Sequence, residues 1–130
     1  MEDNSQKWGK MRLKYVKKCK IIISLSDEIR YVGVINQYGK TIAGQLKSGV
    51  KPLFSKDQVR NEFFAITSFM KLRMDSVTSI GKMNYVLLNH QKVNLLIFHH
   101  KKIIYYITFP KNAPPTQLLI KKIAKIVMLV

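Results

Sequence analysis

The three histidines are the residues of this chain that could hold a metal ion. His90, His99 and His100 carry imidazole nitrogens, which zinc and related metals bind. Adjacent residues of a β-strand point to opposite faces, so His99 and His100 could not readily share one ion. No acidic residue follows Asp75 in the sequence to complete a coordination shell. We therefore predict histidines exposed at turns, with no metal site and no cofactor.

The remaining candidates for catalysis are one thiol and two carboxylates. Cys19 is the only cysteine, so it cannot form an internal disulfide, which is typical of a reducing compartment. It lies on an apolar helical stripe, which predicts burial rather than reactivity. Asp57 and Glu62 are too far apart on their predicted helix to act as an acid–base pair. The glycines match neither a GxGxxG nor a Walker pattern. We predict that the chain is not an enzyme.

Charge is the property that departs furthest from an ordinary protein. The chain has 23 Lys and Arg residues against 7 Asp and Glu residues, for a formal net charge of +16. From Ser76 to Val130 there is no acidic residue at all. Such an excess favours contact with phosphates or acidic surfaces, although it is also what a highly solvated surface would show.

Two predicted helices, one near each end of the chain, carry the lysines that we expect to contact an anionic partner. In the first helix, from Lys7, apolar residues recur at helical spacing, and they are Trp8, Met11, Tyr15, Cys19, Ile22 and Ile23. A basic stripe lies on the opposite side. We call the lysines of both helices the terminal-helix lysines; they are Lys7, Lys10, Lys14, Lys17, Lys121, Lys122 and Lys125. Because lysine offers point charges rather than bidentate base contacts, these residues predict sequence-independent nucleic-acid binding or another anionic partner. Attachment to anionic lipid ranks lower because no exposed aromatic face is predicted.

Residues 29–46 predict a β-hairpin, and the rest of the chain can be arranged around it. Two short apolar segments flank Asn36-Gln37-Tyr38-Gly39. Gly39 supplies the positive φ angle that closes a loop of three to five residues.

The predicted second helix begins at Ser55, where Gln58 completes a capping box. Its core stripe is continuous, and it consists of Val59, Phe63, Ile66, Met70, Met74 and Val77. Ala65, Phe69 and Leu72 form a separate apolar group, roughly 100–120° around the helix from that stripe. We call this predicted second helix α2 and these three residues the α2 outer patch. It predicts either a second packing partner within the domain or a dimer contact.

Three strands and a final helix complete the predicted fold. The strands are residues 85–88, 93–99 and 102–109, and short links make antiparallel neighbours of them. Apolar residues on both faces indicate layers above and below the sheet. The last helix runs from about Thr116. We thus predict one α+β domain over residues 1–130, with a disordered tail at residues 1–6 and the order α-β-β-α-β-β-β-α, in which helices flank a five-stranded antiparallel sheet on both faces.

This element order, with the segment IRYVGVINQYGKTIAG, resembles the roadblock/LC7 superfamily, which is profilin-like and longin-like in fold. The resemblance covers residues 15–130. Lys18-Cys19-Lys20 before the hairpin is also similar to a group of small archaeal proteins. The resemblance implies a non-enzymatic homodimer that binds a small GTPase or serves as a scaffold subunit. Superfamily dimers join through the middle helix and the strand after it. That would place the contact at Ala65, Phe69, Leu72, Tyr85, Val86, Leu87 and Leu88.

The sequence also bears on location. No run of apolar residues approaches the ~20 needed to span a membrane. The start of the chain, MEDNSQKWGK, lacks the basic and apolar segments of a signal peptide. We therefore predict a cytoplasmic protein without a transmembrane segment.

Overall fold

The computed structural model describes residues 3–130. Its long elements, in chain order, are α1 (Asn4–Ser24), β1 (Tyr31–Ile35), β2 (Thr41–Leu46), α2 (Lys56–Arg73), β3 (Val86–Asn89), β4 (Val93–His100), β5 (Ile103–Pro110) and α4 (Gln117–Met128). A 3-10 turn (Met74–Ser76) and a single turn of helix, α3 (Val77–Ile80), follow α2. The α+β class and the predicted order are confirmed, and each predicted strand begins or ends within two residues of the observed one.

The strands form one antiparallel sheet in the order β2-β1-β5-β4-β3. The central strand is β5, which pairs with β1 on one side and with β4 on the other. The predicted hairpin is present, and Gly39 has a φ of 85° at its turn. β2 and β3 are therefore the two edges of the sheet.

Helices cover both faces of this sheet, as predicted. On one face, α1 and α4 pack on a core that includes Cys19, Ile22, Ile123 and Val127. On the other face, α2 packs on a core that includes Phe63 and Met70. The capping box at the start of α2 is confirmed: Gln58 N donates to Ser55 Oγ, and Ser55 N donates to Gln58 Oε1 at 2.8 Å.

The first helix begins earlier than predicted. Asp3 caps α1: its Oδ1 accepts a hydrogen bond of 2.8 Å from Gln6 N, while Asp3 N donates to Gln6 Oε1 at 3.0 Å. The predicted tail is therefore wrong for residues 4–6, which are helical, and Met1 and Glu2 lie outside the described residues. The side chains of residues 3–13 are all exposed. The predicted apolar stripe of α1 reaches the core only from Tyr15 onward, and Trp8 is 49% exposed.

The second helix ends earlier than predicted. α2 stops at Arg73, and Met74 is exposed rather than part of the core stripe. The stripe is buried only as far as Met70, because the chain then turns away through the 3-10 segment. Sequence periodicity alone predicted a longer stripe, which extends beyond the part of the sheet that α2 covers.

A tyrosine lies across two glycines at the β1–β2 pair. Gly33 and Gly44 are directly opposite each other in the sheet. A Cβ atom built on Gly33 would stand 2.7 Å from the Tyr31 hydroxyl oxygen, and one built on Gly44 would stand 2.8 Å from it. Both distances are too short for real atoms, so this ring position requires glycine at both sites.

Candidate interaction surfaces

All three residues of the α2 outer patch are exposed to solvent, to different extents. Ala65 is exposed, Phe69 is 38% exposed and Leu72 is 72% exposed. They lie on the side of α2 that faces away from the core, since Phe63, Ile66 and Met70 take the buried side. The sequence left open whether a second element of the domain would cover this patch. In the structure it faces solvent.

The other residues of the predicted dimer contact, 85–88, lie at the edge strand β3. They are distributed over both faces of the sheet. Val86 and Leu88 pack at the margin of the same core as α2. Leu87, which pairs with Leu96, is on the opposite face and is exposed. The strand was predicted at residues 85–88 and is observed at Val86–Asn89, so Tyr85 lies just outside it.

Tyr85 has contacts within the domain. Its ring lies 6.3 Å from that of Phe98, and its hydroxyl accepts a hydrogen bond of 3.4 Å from Gln117 Nε2. Val86 and Leu88 therefore lie on the sheet face that α2 covers, whereas Tyr85 and Leu87 lie on the face of α1 and α4.

Two exposed aromatic residues near the first hairpin were not among the sequence candidates. Tyr38 is in the β1–β2 turn, and Phe64 is on α2 beside the core residue Phe63. The turn and the helix touch here: a Cβ atom on Gly39 would lie 3.5 Å from the backbone of Phe63 and of Phe64. Phe64 lies off both apolar groups of the helical pattern, which is the signal that could have identified it.

The terminal-helix lysines lie on two helices of the same sheet face, because α1 and α4 pack on one core. All of them are exposed except Lys14, which is half-buried. The Nζ atom of Lys14 lies 5.4 Å from the centre of the Tyr15 ring, within the range of a cation–π contact.

A buried lysine, Lys18, was not recognised from the sequence. It is only 6% exposed, and its Nζ donates hydrogen bonds to Val127 O at 3.1 Å and to Leu129 O at 2.5 Å, at the end of α4. Burial lowers the pKa of Lys18, and the positive charges of Lys14 and Lys101 lower it further. Carbonyls at a helix C-terminus are suitable partners for a cation.

Of the thiol and imidazole groups first considered for chemistry, only that of His90 is exposed; the prediction of exposed turns is wrong for His99 and His100, which are half-buried residues of β4. Cys19 is buried, as predicted, and burial raises its pKa to about 12. Burial also lowers the pKa of His99. Among residues 3–130, no three His, Cys, Asp or Glu side chains lie close enough to hold a metal ion. Within the same residues, no helix is long and apolar enough to cross a membrane.

Comparison with known proteins gives a fold but no sequence relative. No protein-family model matches this chain, and no curated protein matches it. Among solved structures, the gliding protein MglB from Thermus thermophilus is similar with a TM-score of 0.68 and 11% identity, over 89% of this chain and 87% of that one. A roadblock/LC7 domain from Streptomyces avermitilis gives 0.66 and 9% identity, over 86% of this chain and 90% of that one.

Profilins are similar as well, at a greater structural distance. Acanthamoeba castellanii profilin IA gives a TM-score of 0.55 and 12% identity, over 88% of this chain and 96% of that one. The roadblock/LC7 resemblance, with its profilin-like relationship, is thus confirmed at the level of fold.

Proposed function

We propose that this chain is a non-enzymatic interaction module that forms a homodimer and docks a protein partner such as a small GTPase. The observation that carries the proposal is the α2 outer patch, which stands exposed on the same side of the sheet as Val86 and Leu88 of the edge strand β3. The roadblock/LC7 fold supports it, because dimers of that superfamily use the corresponding elements.

The free edge of β3 and the exposed apolar surface of the α2 outer patch support the dimer. β3 pairs with β4 on one side, and its other side is an edge of the sheet. A second copy related by a two-fold axis could pair its own β3 there and bring its α2 outer patch against the first. Phe69 and Leu72 would then lose their exposed apolar surface to the partner helix, at about 25 cal/mol for each Å² buried.

The protein partner would contact the end of the molecule that the dimer leaves free. Tyr38 and Phe64 are exposed there, beside the β1–β2 turn. Aromatic side chains are enriched at the centres of protein interfaces. The choice of a small GTPase as this partner rests on the superfamily resemblance.

Sedimentation velocity in salt high enough to screen the net charge tests the dimer. We expect the wild-type chain to sediment as a dimer and Leu72→Glu as a monomer. Leu118→Glu is the matched control, because Leu118 is also an exposed leucine on a helix but lies on α4, on the other face of the sheet. A wild-type monomer at tens of micromolar, a concentration at which interfaces with micromolar Kd are occupied, would remove the dimer from the proposal.

Sequence-independent nucleic-acid binding is the second candidate function. It is favoured by one observation: α1 and α4 lie on the same sheet face and carry the terminal-helix lysines there. Contact with four to six phosphates would give a log–log salt slope of roughly −4 to −5 on duplex DNA. Gel shifts at low salt test it, and the absence of any retained DNA would eliminate it.

A further inference from the structure

The turn between β4 and β5 carries two lysines in a backbone conformation that lysine seldom adopts. β4 ends at His100 and β5 begins at Ile103, and these two residues pair in the sheet, so Lys101 and Lys102 alone make the connection. Their φ angles are 50° and 66°. Two-residue hairpin turns of this kind favour asparagine and glycine, because other side chains strain the backbone at positive φ. The turn therefore holds positive charge here at a cost in backbone strain.

The imidazole of His100 lies on the sheet face that α1 and α4 cover. His100 follows Phe98 by two residues along β4, and Phe98 belongs to the core beneath those helices. Its partner across the strands, Ile103, packs against the same core. Since side chains alternate along a strand, the imidazole points to that face at the rim of the core. It is half-buried and makes no hydrogen bond within the described residues.

α1 brings two ammonium groups to the same face. Lys14 and Lys18 are about one helical turn apart, and their Nζ atoms lie 5.4 Å and 5.7 Å from the centre of the Tyr15 ring. Lys18 Nζ also donates to the Tyr105 hydroxyl of β5 and to two backbone carbonyls of α4, so its three hydrogens are all used. Lys14 Nζ makes no hydrogen bond within the described residues. Lys14 is therefore available to a ligand, whereas Lys18 supplies charge only.

The charged groups that act on His100 are all cations. Burial lowers the pKa of His100, and the positive charges of Lys101, Lys18, Lys82 and Lys14 lower it further. Burial also lowers the pKa of Lys18, and again the charges that add to the effect, those of Lys14 and Lys101, are positive. Four ammonium groups around one half-buried imidazole create a positive potential that an anion would neutralise.

We propose that this cluster, the His100 site, binds the phosphate group of a phosphate monoester, with His100, Lys14, Lys82 and Lys101 around the anion. A monoester carries close to two negative charges at neutral pH and has three strong acceptor oxygens. Backbone phosphates of nucleic acids carry one charge each and follow one another in a row, which suits a compact cluster less well. The site shares only Lys14 with the terminal-helix lysines and lies apart from α2, so it does not rest on the function proposed above.

NMR of the histidine side chains can locate the ligand. Methyl phosphate, a monoester, and dimethyl phosphate, the matching diester, are titrated into the chain at neutral pH in about 150 mM salt, where charges more than ~8 Å apart are largely screened. We expect saturable shifts of the His100 signals with methyl phosphate, and binding at least about tenfold weaker for dimethyl phosphate. The signals of His90 should not move. The absence of a saturable shift at His100, or equal binding of the diester, overturns the proposal.

Bound methyl phosphate should also raise the pKa of His100, because the anion offsets the neighbouring cations. A pH titration of the His100 signals with and without methyl phosphate measures this. An unchanged pKa at saturating ligand would show that the anion lies elsewhere and would overturn the site.

Two variants with matched controls separate recognition from general attraction to a basic protein. His100→Gln removes the imidazole, and Lys101→Asn removes a charge while suiting positive φ, so it leaves the turn intact. We expect each to weaken methyl phosphate by about tenfold in phosphorus NMR titrations, since each removes a charge-assisted hydrogen bond. His90→Gln and Lys92→Gln lie at the other end of β4, roughly 25 Å away at 3.3 Å per residue, and should bind within about twofold of the wild type. Equal losses in the controls, or none at the site, overturn the proposal.

A phosphate monoester can be a free small molecule or a lipid headgroup, and vesicles distinguish these sources. Phosphatidic acid has a monoester headgroup and phosphatidylserine a diester. A lipid source requires that only phosphatidic acid vesicles bind the wild-type chain better than His100→Gln; equal binding of both proteins assigns the site to a free molecule. Duplex DNA tests the remaining class. We expect gel shifts of His100→Gln to match the wild type, and a parallel loss of DNA and methyl phosphate binding would overturn the monoester site in favour of nucleic acid.

Discussion

The Nζ atom of Lys18 donates a hydrogen bond of 3.3 Å to the hydroxyl of Tyr105, so a buried lysine on α1 is joined to the central strand of the sheet. The same nitrogen also donates hydrogen bonds to two backbone carbonyl groups at the end of α4. It also lies 5.7 Å from the Tyr15 ring centre and 5.6 Å from that of Tyr105. One side chain thus connects α1, β5 and α4 on a single face of the sheet.

Lys18→Met should lower the free energy of unfolding by about 1–2 kcal/mol, measured by urea denaturation at neutral pH. Two effects oppose each other. Methionine avoids the cost of burying an ammonium group, but it leaves Val127 O and Leu129 O without their donor. We expect the lost hydrogen bonds to outweigh the saving, because three acceptors lose one shared donor. Lys17→Met, on the exposed side of the same helix, should stay within about 0.5 kcal/mol of the wild type. A Lys18→Met variant as stable as the wild type would contradict this account.

Gly33→Ala should destabilise the chain by about 1–3 kcal/mol, because the added methyl group would overlap the Tyr31 ring and force it to move. β-propensity favours alanine over glycine in a strand, but that preference is below about 1 kcal/mol and does not offset the overlap. Gly9→Ala is the control: a Cβ atom there meets nothing within 4 Å, so this helical site should gain up to about 1 kcal/mol.

A double variant identifies the contact at Gly33. When Tyr31→Leu has already removed the ring, Gly33→Ala should cost much less than it does alone. Strictly additive effects of the two substitutions would show that the overlap is not the cause.

Thr108→Val should stabilise the protein by about 1 kcal/mol, because it replaces a buried hydroxyl that has no hydrogen-bond partner among the described residues with a methyl group of the same shape. Thermal and urea unfolding both measure this. Thr41→Val, at an exposed position on β2, should change stability by less than about 0.5 kcal/mol. A clear loss of stability in Thr108→Val would mean that the hydroxyl is satisfied in the folded protein.

Stability should fall as pH rises from about 9 to 12. Burial raises the pKa of Cys19 to about 12 from 9.0, and burial together with the neighbouring thiol raises the pKa of Tyr31 to about 12 from 10.0. In this window the unfolded chain releases protons that the folded chain keeps, so unfolding becomes more favourable as pH rises. Lys18 acts in the opposite direction below 10.5, because its pKa is lowered in the folded state, but it is one group against several.

Urea midpoints at pH 8 and pH 11 measure this dependence. Tyr31→Phe removes one titrating group and should therefore lose less stability between the two pH values than the wild type. Tyr38→Phe, at an exposed ring, should follow the wild type. A midpoint that stays constant or rises toward pH 11 would contradict the prediction.

Helical and strand periodicity predicted the fold because most residues of this chain obey it. The stripe that begins at Val59 indicated which side of α2 packs on the sheet, and the alternation in β4 and β5 indicated a sheet covered on both faces. Periodicity does not show where the opposite surface ends, however. Trp8 and Met74 fit their helical stripes and are nevertheless exposed.

The sites that escaped prediction depend on contacts between distant parts of the chain. Lys18 reads as an ordinary basic residue, and it is buried because the end of α4, more than a hundred residues later, supplies its acceptors. Thr108 reads as an ordinary strand residue, but it is only 2% exposed and its hydroxyl has no partner among the described residues. The burial of these two residues cannot be recognised from their neighbours in the sequence.

The sheet order also has a consequence for biosynthesis. β5 stands between β1 and β4, although it is the last strand to be made. A nascent chain that has left the ribosome only as far as Asn89 can hold the first hairpin, but that hairpin has a bare edge where β5 will later pair. Joining β1 to β5 then closes a loop of most of the chain, which is a slow step for a domain of this size. We expect chaperones to be needed to protect the growing polypeptide until Pro110 has emerged from the ribosome.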